Sequence, residues 1–267
     1  MNLARRSAWS AREPAVALLC VLVLLAFAAP IVAPFAPDAM DLASRRAGPS
    51  LTHWFGTDML GRDVLSRVLY GARVSLAVGI LSAVVAVALG VAIGSLAGYL
   101  GRALDATLMR LTDAMLSVPR LPLLMVLGAI LQPSIALLVV MVGIVGWMET
   151  ARVTRAEVLS IRGRGYVEAS RATGAAVPRQ IVRHLLPNAL PAISVAATLA
   201  VGRGILLEST LSFFGLGVQP PAASWGNMLY QAQATMSTEP WLALFPGLMI
   251  FTTVVAINSV GERLAHG

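Results

Sequence analysis

Two ionisable residues, Arg203 and Glu208, stand inside an apolar stretch that runs from about Ala189 to Phe214. Each charge would cost roughly 2.5–3.5 kcal/mol at the centre of a bilayer, so neither side chain is expected to face lipid. Their spacing of five residues does not suit pairing with each other on one helix. The two residues therefore either line a path for a polar solute or form buried ion pairs with other helices.

The sequence offers little for catalysis or metal binding. All 20 basic residues are Arg, so a phosphate-binding loop that ends in Gly-Lys-Ser/Thr has no counterpart here. If ATP drives this protein, hydrolysis must take place on a separate chain. Cys20 is the single cysteine, and the three histidines match no metal-ligand spacing, so we expect no metal site and no cofactor on this chain. The histidines are His53, His184 and His266.

A polar, Arg-rich stretch separates two long apolar runs. Its spacing predicts a short helix from Tyr166 to Thr173, and Gly174 suits the left-handed residue that ends such a helix. Pro178 and Pro187 then favour turns or breaks in the chain before the next apolar run. A short helix held between two membrane spans can be gripped by another protein. The alternative is a solvated cytoplasmic loop whose arginines only set the topology.

Composition places the chain among multi-span helical membrane proteins, because 57% of its residues are hydrophobic and 12% are charged. The net charge of +7 comes from arginines between apolar runs, which indicates orientation in a membrane rather than binding to nucleic acid. The alternation of Arg-rich and Arg-poor loops places both termini in the cytoplasm. A cleaved signal peptide is the alternative reading of the first run. We expect six spans, at 15–33, 74–100, 111–131, 135–148, 189–214 and 241–260.

Residues 34–73 form a mixed polar segment between the first two spans. The segment contains five arginines, which does not fit an outer loop unless it folds as a small domain that crosses regardless of charge. From Asp63 the apolar spacing turns helical, which predicts an amphipathic helix at the membrane surface. We expect the second span to begin separately, at about Val74.

Local spacing also predicts packing and ion pairs. Asp113 is expected to pair with Arg110 or Arg120, and Glu149 with Arg152 on one helical face. Residues 101–110 are expected to form a short turn, and two prolines should kink or break the third span. These prolines are Pro119 and Pro122. A smooth face on the second span, suited to close helix packing, consists of Gly90, Gly94 and Gly98.

The polar stretch resembles the EAA loop of ABC-importer permeases. It reads Glu168-Ala169-Ser170, with Gly174 six positions after the glutamate, and continues to Leu186-Pro187. The third position is Ser rather than Ala, and His184 stands where the general pattern has Ile. The run from Arg183 to Asn188 is similar to the peptide/nickel branch of that family.

Two further blocks resemble the C-type inner-membrane subunit of dipeptide/oligopeptide permeases. One reads Phe-Gly-Thr-Asp and then Leu-Gly-Arg-Asp, between Phe55 and Asp63. The other runs from Leu206 to Gly217 and includes Glu208, whereas Arg203 is not part of the pattern. The resemblance extends over residues from about 50 to 260.

The resemblance implies an all-α polytopic protein with six transmembrane helices and the type I ABC-importer permease fold. Residues 1–73 would comprise an N-terminal span with an extracytoplasmic amphipathic segment. Residues 74–267 would form a five-helix core with a cytoplasmic coupling loop at 160–188. In that family the loop docks into a groove of the ATPase. The matching coupling positions are Tyr166, Glu168, Ala169, Ser170, Arg171 and Gly174.

The resemblance also implies an assembly in a bacterial inner membrane. A homologous second permease would complete a heterodimer, and two ABC ATPase subunits would bind ATP and Mg²⁺. An extracytoplasmic solute-binding protein would deliver peptides or related small solutes for import by alternating access. Arg203 and Glu208 are the candidates for the translocation path.

Two other classes of protein remain as alternatives. A stand-alone ion-coupled transporter or channel would need ionisable residues deep in several spans, and only Arg203 and Glu208 clearly qualify. An intramembrane enzyme would need a nucleophile with a base, or metal ligands, and the sequence contains neither Gly-x-Ser-x-Gly nor paired histidines.

Overall fold

The computed structural model describes residues 12–131 and 134–264, and these residues form a bundle of α-helices without a regular strand. The all-α expectation is therefore confirmed. A π-helical turn, Ile181–Leu185, joins the eighth helix to the ninth. In chain order the helices are α1 (Arg12–Val32), α2 (Val64–Leu100), α3 (Arg102–Ser117), α4 (Arg120–Leu131), α5 (Ile135–Ile144), α6 (Met148–Ile161), α7 (Gly165–Ala172), α8 (Val177–Gln180), α9 (Leu186–Phe213), α10 (Trp225–Ala232) and α11 (Trp241–Leu264).

Four helical segments of the described chain are long and apolar enough to cross a membrane. They are Pro14–Val32, Val64–Leu100, Val177–Phe213 and Trp241–Leu264. Two further pairs qualify only when taken together, α3 with α4, bent by 79°, and α5 with α6, bent by 44°. The expected count of six spans is reached when each bent pair is one span.

The helix α2 differs from the expectation, because the surface helix predicted from Asp63 and the span predicted from Val74 are one continuous helix. The Asp63 side chain caps it by accepting from the Ser66 backbone N–H at 2.8 Å. The run contains no proline, so nothing breaks the helix between residues 73 and 74. Gly101 ends it with a φ of 63°.

The third span is a broken pair rather than a turn followed by one kinked helix. Residues 102–110, expected in a turn, belong to α3. Val118 is extended because the residue before a proline disfavours the helical region, and the chain turns sharply there. Pro119 therefore marks the break, as predicted. Pro122 lies in the first turn of α4, where a missing N–H leaves no helical bond unmade.

The glycine face of α2 packs against α6. A methyl group added to Gly94 would lie 2.3 Å from the Ala151 carbonyl oxygen, and one added to Gly90 would lie 2.6 Å from Thr150 Cβ. Such distances leave no room for a side chain. The predicted close approach is confirmed, and it brings α6 against the half of α2 that leads to Leu100.

The segment between α1 and α2 folds over the opposite end of the bundle. Phe55 stacks on Phe245 of α11, with ring centroids 3.7 Å apart. Asp58 pairs with Arg62 at 2.7 Å and lies 3.8 Å from Arg67. Arg46 pairs with Glu239 at 3.4 Å. Arg46 and Arg62 of this segment, and Arg67 in the first turn of α2, are thus engaged with carboxylates in a compact cap.

Candidate coupling site and translocation path

The helix α7 begins and ends within one residue of the predicted helix from Tyr166 to Thr173. Gly174 follows it with a φ of 77°, as expected for the residue that ends such a helix. The Gly174 N–H donates to the Arg171 carbonyl at 3.0 Å, and the Ala175 N–H donates to the Ser170 carbonyl at 3.2 Å. No other atom would lie within 4 Å of a Cβ at Gly174, so the backbone conformation alone favours glycine there.

One side chain fixes α7 to the bundle. Val167 is fully buried in an apolar cluster that includes Tyr99, Ile181 and Leu185. The remaining coupling candidates lie on the outward side. Ser170 is half-buried, and the exposed ones are Tyr166, Glu168, Ala169, Arg171 and Gly174. The structure thus leaves five of the six matched residues exposed to solvent.

A buried hydrogen-bond chain supports α7 from beneath. The Tyr99 hydroxyl donates to Oε1 of Gln180 at 2.5 Å, and Nε2 of Gln180 donates to the Ala175 carbonyl at 2.7 Å. The Arg171 guanidinium lies 5.4 Å from the centre of the Tyr99 ring. Sequence reasoning missed Tyr99 and Gln180, because a tyrosine at the end of a span is ordinary and gave no signal.

Glu208 is fully buried and is held by serine hydroxyls rather than by a cation. Ser75 on α2 donates to its carboxylate at 3.0 Å, and Ser212 on α9 donates at 2.8 Å. The Ser75 oxygen also accepts from the Trp225 backbone N–H at 3.2 Å, at the start of α10. Glu208 therefore ties three helices together, and neither of the roles first considered for it, a path lining or an ion pair, describes these contacts.

Arg203 lines a cavity of about 430 Å³, together with Glu149 and Glu157 of α6. Its Nη1 lies 4.0 Å from Oε1 of Glu149. The same carboxylate oxygen accepts directly from the Arg120 guanidinium. The structure thus brings Arg203 to a largely apolar cavity that carries charged groups, and leaves Glu208 outside this charge cluster.

The predicted local ion pairs are wrong. Asp113 pairs with Arg152 at 2.5 Å rather than with Arg110 or Arg120. Glu149, expected to pair with Arg152, is instead shared by Arg120 and Arg203. The long Arg side chains reach across to neighbouring helices, and the bend between α3 and α4 decides which carboxylates they meet.

Within residues 12–131 and 134–264, no three His, Cys, Asp or Glu side chains are grouped as metal ligands would be. His53 instead bonds to Asp63, with 2.9 Å between Nδ1 and Oδ1. His266 lies outside the described residues.

The chain is similar in sequence to proteins that are named as peptide permeases. The chain is 43% identical over 249 residues to a Brucella suis biovar 1 (strain 1330) protein named as a peptide permease, covering 92% of this chain and 82% of that protein. It is 39% identical over 248 residues to the dipeptide transport system permease protein DppC of Bacillus subtilis (strain 168), covering 92% and 78%. The oligopeptide transport system permease protein OppC of the same organism is 36% identical over 247 residues, covering 92% and 81%.

A solved structure shows the fold. A chain of the inward-facing MetNI methionine ABC transporter superposes with a TM-score of 0.63 at 22% identity, covering 76% of this chain and 96% of that one. The fold is that of an ABC-importer permease. The model of the family described as "Binding-protein-dependent transport system inner membrane component" matches residues 90–266. The resemblance seen in the sequence is confirmed, and the chain belongs to the family of inner membrane components of binding-protein-dependent transport systems.

Proposed function

We propose that this chain is the permease subunit of an ATP-driven importer for peptides or related small solutes. The names of the relatives support the peptide class. The observation that carries the proposal is α7, a short helix with one buried anchor, Val167, and an outward surface of residues that match the family's coupling loop. A helix held in this way can transmit a push from a docked protein to the spans behind it.

The docked protein would be an ABC ATPase, which would supply the ATP and Mg²⁺ sites. Tyr166, Glu168 and Arg171 are the exposed side chains that a groove on the ATPase would contact. Ala169 and Ser170 leave room for close approach, and Gly174 sets the exit of the chain. The Tyr99–Gln180 bond then links movement of α7 to α2.

Family membership supports the rest of the proposed assembly. The importer would be completed by two ATPases, a homologous second permease forming a heterodimer, and an extracytoplasmic solute-binding protein. Both termini and the coupling loop 160–188 would lie in the cytoplasm. The arginines that support this orientation are Arg162, Arg164, Arg171, Arg179 and Arg183.

Alternating access would open and close a path beside Arg203. Arg203 lies on the wall of the cavity between α6 and α9, where a polar solute can meet a charge. Glu208 supports that wall from behind by tying α9 to α2 and α10. A stand-alone transporter is less well supported, since it does not account for the exposed α7.

Crosslinking tests the proposal in the complete transporter. One cysteine replaces Ala169 in a Cys20→Ala background, and a second lies in the groove of the ATPase. We expect a crosslink whose yield changes with ATP. Ala39→Cys is the matched control, because Ala39 is an exposed alanine in the cap at the opposite end of the bundle. Absence of a crosslink across several groove positions, in a correctly inserted protein, would refute docking at α7.

Two substitutions test the consequence for transport. Glu168→Arg reverses a charge on the exposed surface of α7, and Gly174→Pro is incompatible with the positive φ and removes the N–H that bonds to Arg171. We expect both variants to insert normally and to lose uptake while ATP hydrolysis continues. Normal uptake in both would contradict the coupling role.

A further inference from the structure

Two guanidinium groups share one carboxylate where α4, α6 and α9 meet. Arg120 donates directly to Oε1 of Glu149, and Nη1 of Arg203 stays 4.0 Å from the same oxygen. Arg152, the next arginine along α6, is occupied by Asp113. One positive charge, that of Arg203, is therefore left without a full counter-charge among the described residues. A guanidinium that is only loosely paired can attract a further carboxylate.

The cavity beside Arg203 is long and carries a second, opposite charge. Arg203 lies 15 residues after Asn188 on the same helix, so the two lining residues are about 22 Å apart along its axis. Glu157 lies eight residues after Glu149, about 12 Å further along α6. Glu157 forms no ion pair within the part of the chain that the structure describes.

The wall between these charges is apolar. It is formed by the side chains of Val153, Val195, Ala196 and Leu199. The cavity thus offers a cation at one end, an anion towards the other, and a non-polar surface between them. Arg203 is 37% exposed at its side chain, so a ligand can reach its guanidinium.

We propose that this cavity binds a short peptide by its two charged ends, with the carboxylate at Arg203 and the ammonium group at Glu157. This inference rests on the proposed function and adds the binding residues to it. The planar guanidinium of arginine matches a carboxylate with two parallel hydrogen bonds. Glu157 lies about 12 Å further along α6 than Glu149, the residue that Arg203 approaches. This spacing corresponds to an extended chain of roughly three to four residues. Glu149 is a positioning residue, because it lies in the cavity lining 4.0 Å from Arg203 while its carboxylate accepts from Arg120.

Occupancy of the cavity by a peptide is measured by how strongly the peptide protects an introduced cysteine from labelling. Ala192 lines the cavity, and Cys20 is the single native cysteine. The complete transporter carrying Ala192→Cys and Cys20→Ala is placed in lipid nanodiscs, and the rate of labelling by a small thiol reagent is followed. The probes are trialanine, its C-terminal amide and its N-acetyl derivative. We expect trialanine to slow labelling, and each blocked peptide to need about tenfold or more of the concentration for half protection.

Two variants show which residue recognises which charged end of the peptide. In Arg203→Gln, trialanine and its amide should protect equally, while the N-acetyl peptide remains weaker. Glu157→Gln should give the converse pattern. Arg152→Gln is the matched control, because Arg152 pairs with Asp113 outside the cavity lining and its loss should leave both distinctions intact. A purely structural role for Arg203 would not remove the distinction between acid and amide.

Several results would overturn the inference. Equal protection by all three peptides in the parent, or no protection by any, would refute recognition of the charged ends. A cysteine at position 192 that stays unlabelled in the assembled transporter would show that a partner subunit covers the cavity. The ATP-dependent crosslink at Ala169 separates the two proposals. A normal crosslink with unselective protection refutes this inference alone, whereas failure of the crosslink refutes the coupling on which it rests.

Discussion

Removing the Tyr99 hydroxyl should loosen α7 without touching its exposed surface. The hydroxyl donates to Oε1 of Gln180 at 2.5 Å, and both residues are buried, with 9% and 2% of their surface exposed. Phenylalanine keeps the ring, and with it the contact to the Arg171 guanidinium. Tyr99→Phe therefore isolates one hydrogen bond of the support beneath the coupling loop.

The size of the expected effect follows from Oε1 of Gln180, the acceptor that Tyr99→Phe leaves without its donor. A buried oxygen that loses its partner costs about 1–3 kcal/mol. Since 1.4 kcal/mol is tenfold in an equilibrium constant, local opening around Gln180 should become roughly 5- to 150-fold more frequent. The amides that report this opening are those that close the end of α7, at Thr173, Gly174 and Ala175.

Hydrogen exchange of the assembled transporter measures the effect. Exchange of these amides should accelerate by the same factor as local opening. Tyr230→Phe is the matched control, because the Tyr230 side chain is half exposed and its hydroxyl forms no hydrogen bond within the described chain. Unchanged exchange at 173–175 in Tyr99→Phe, or equal acceleration in Tyr230→Phe, would refute the supporting role.

Two further predictions concern the cap and the serine cluster. Gly61→Ala should prevent the cap from folding, because Gly61 has a φ of 75° and an added Cβ would lie 1.8 Å from the Asp41 carbonyl oxygen. The resistance of the cap to proteases should therefore fall. Unchanged resistance would contradict this close contact. Glu208→Leu should lower thermal stability more than Glu208→Gln. In the leucine variant the hydroxyls of Ser75 and Ser212 lose their acceptor, at a cost of about 1–3 kcal/mol each, whereas glutamine keeps one acceptor oxygen. Equal melting temperatures for these two variants would argue against the role of Glu208 in joining α9 to α2 and α10.

The features that sequence predicted well are those that depend on neighbours along the chain. Hydropathy located the apolar helices because a span needs about 20 apolar residues in succession. Gly174 and Pro119 acted through their own backbone, so their roles as helix end and helix break could be foreseen. The glycines of α2 predicted a close contact, but their spacing could not identify α6 as the partner.

The features that sequence missed depend on residues far apart in the chain. Asp113 meets an arginine 39 residues away, and Glu149 meets Arg120 at a separation of 29 residues. These partners are set by the bends within the third and fourth spans, which spacing alone does not give. The Tyr99–Gln180 bond, over 81 residues, is of the same kind.

The unbroken helix α2 can carry movement from one end of the bundle to the other. Its 37 residues form a rod about 55 Å long, with the cap at one end and Tyr99, which supports α7, at the other. A rod without a break acts as a lever. If it pivots near its middle, a tilt of about 10° would displace each end by about 5 Å in opposite directions. A push delivered at the coupling loop would then reach the far surface as a shift of the cap, the surface at which a solute-binding protein would arrive.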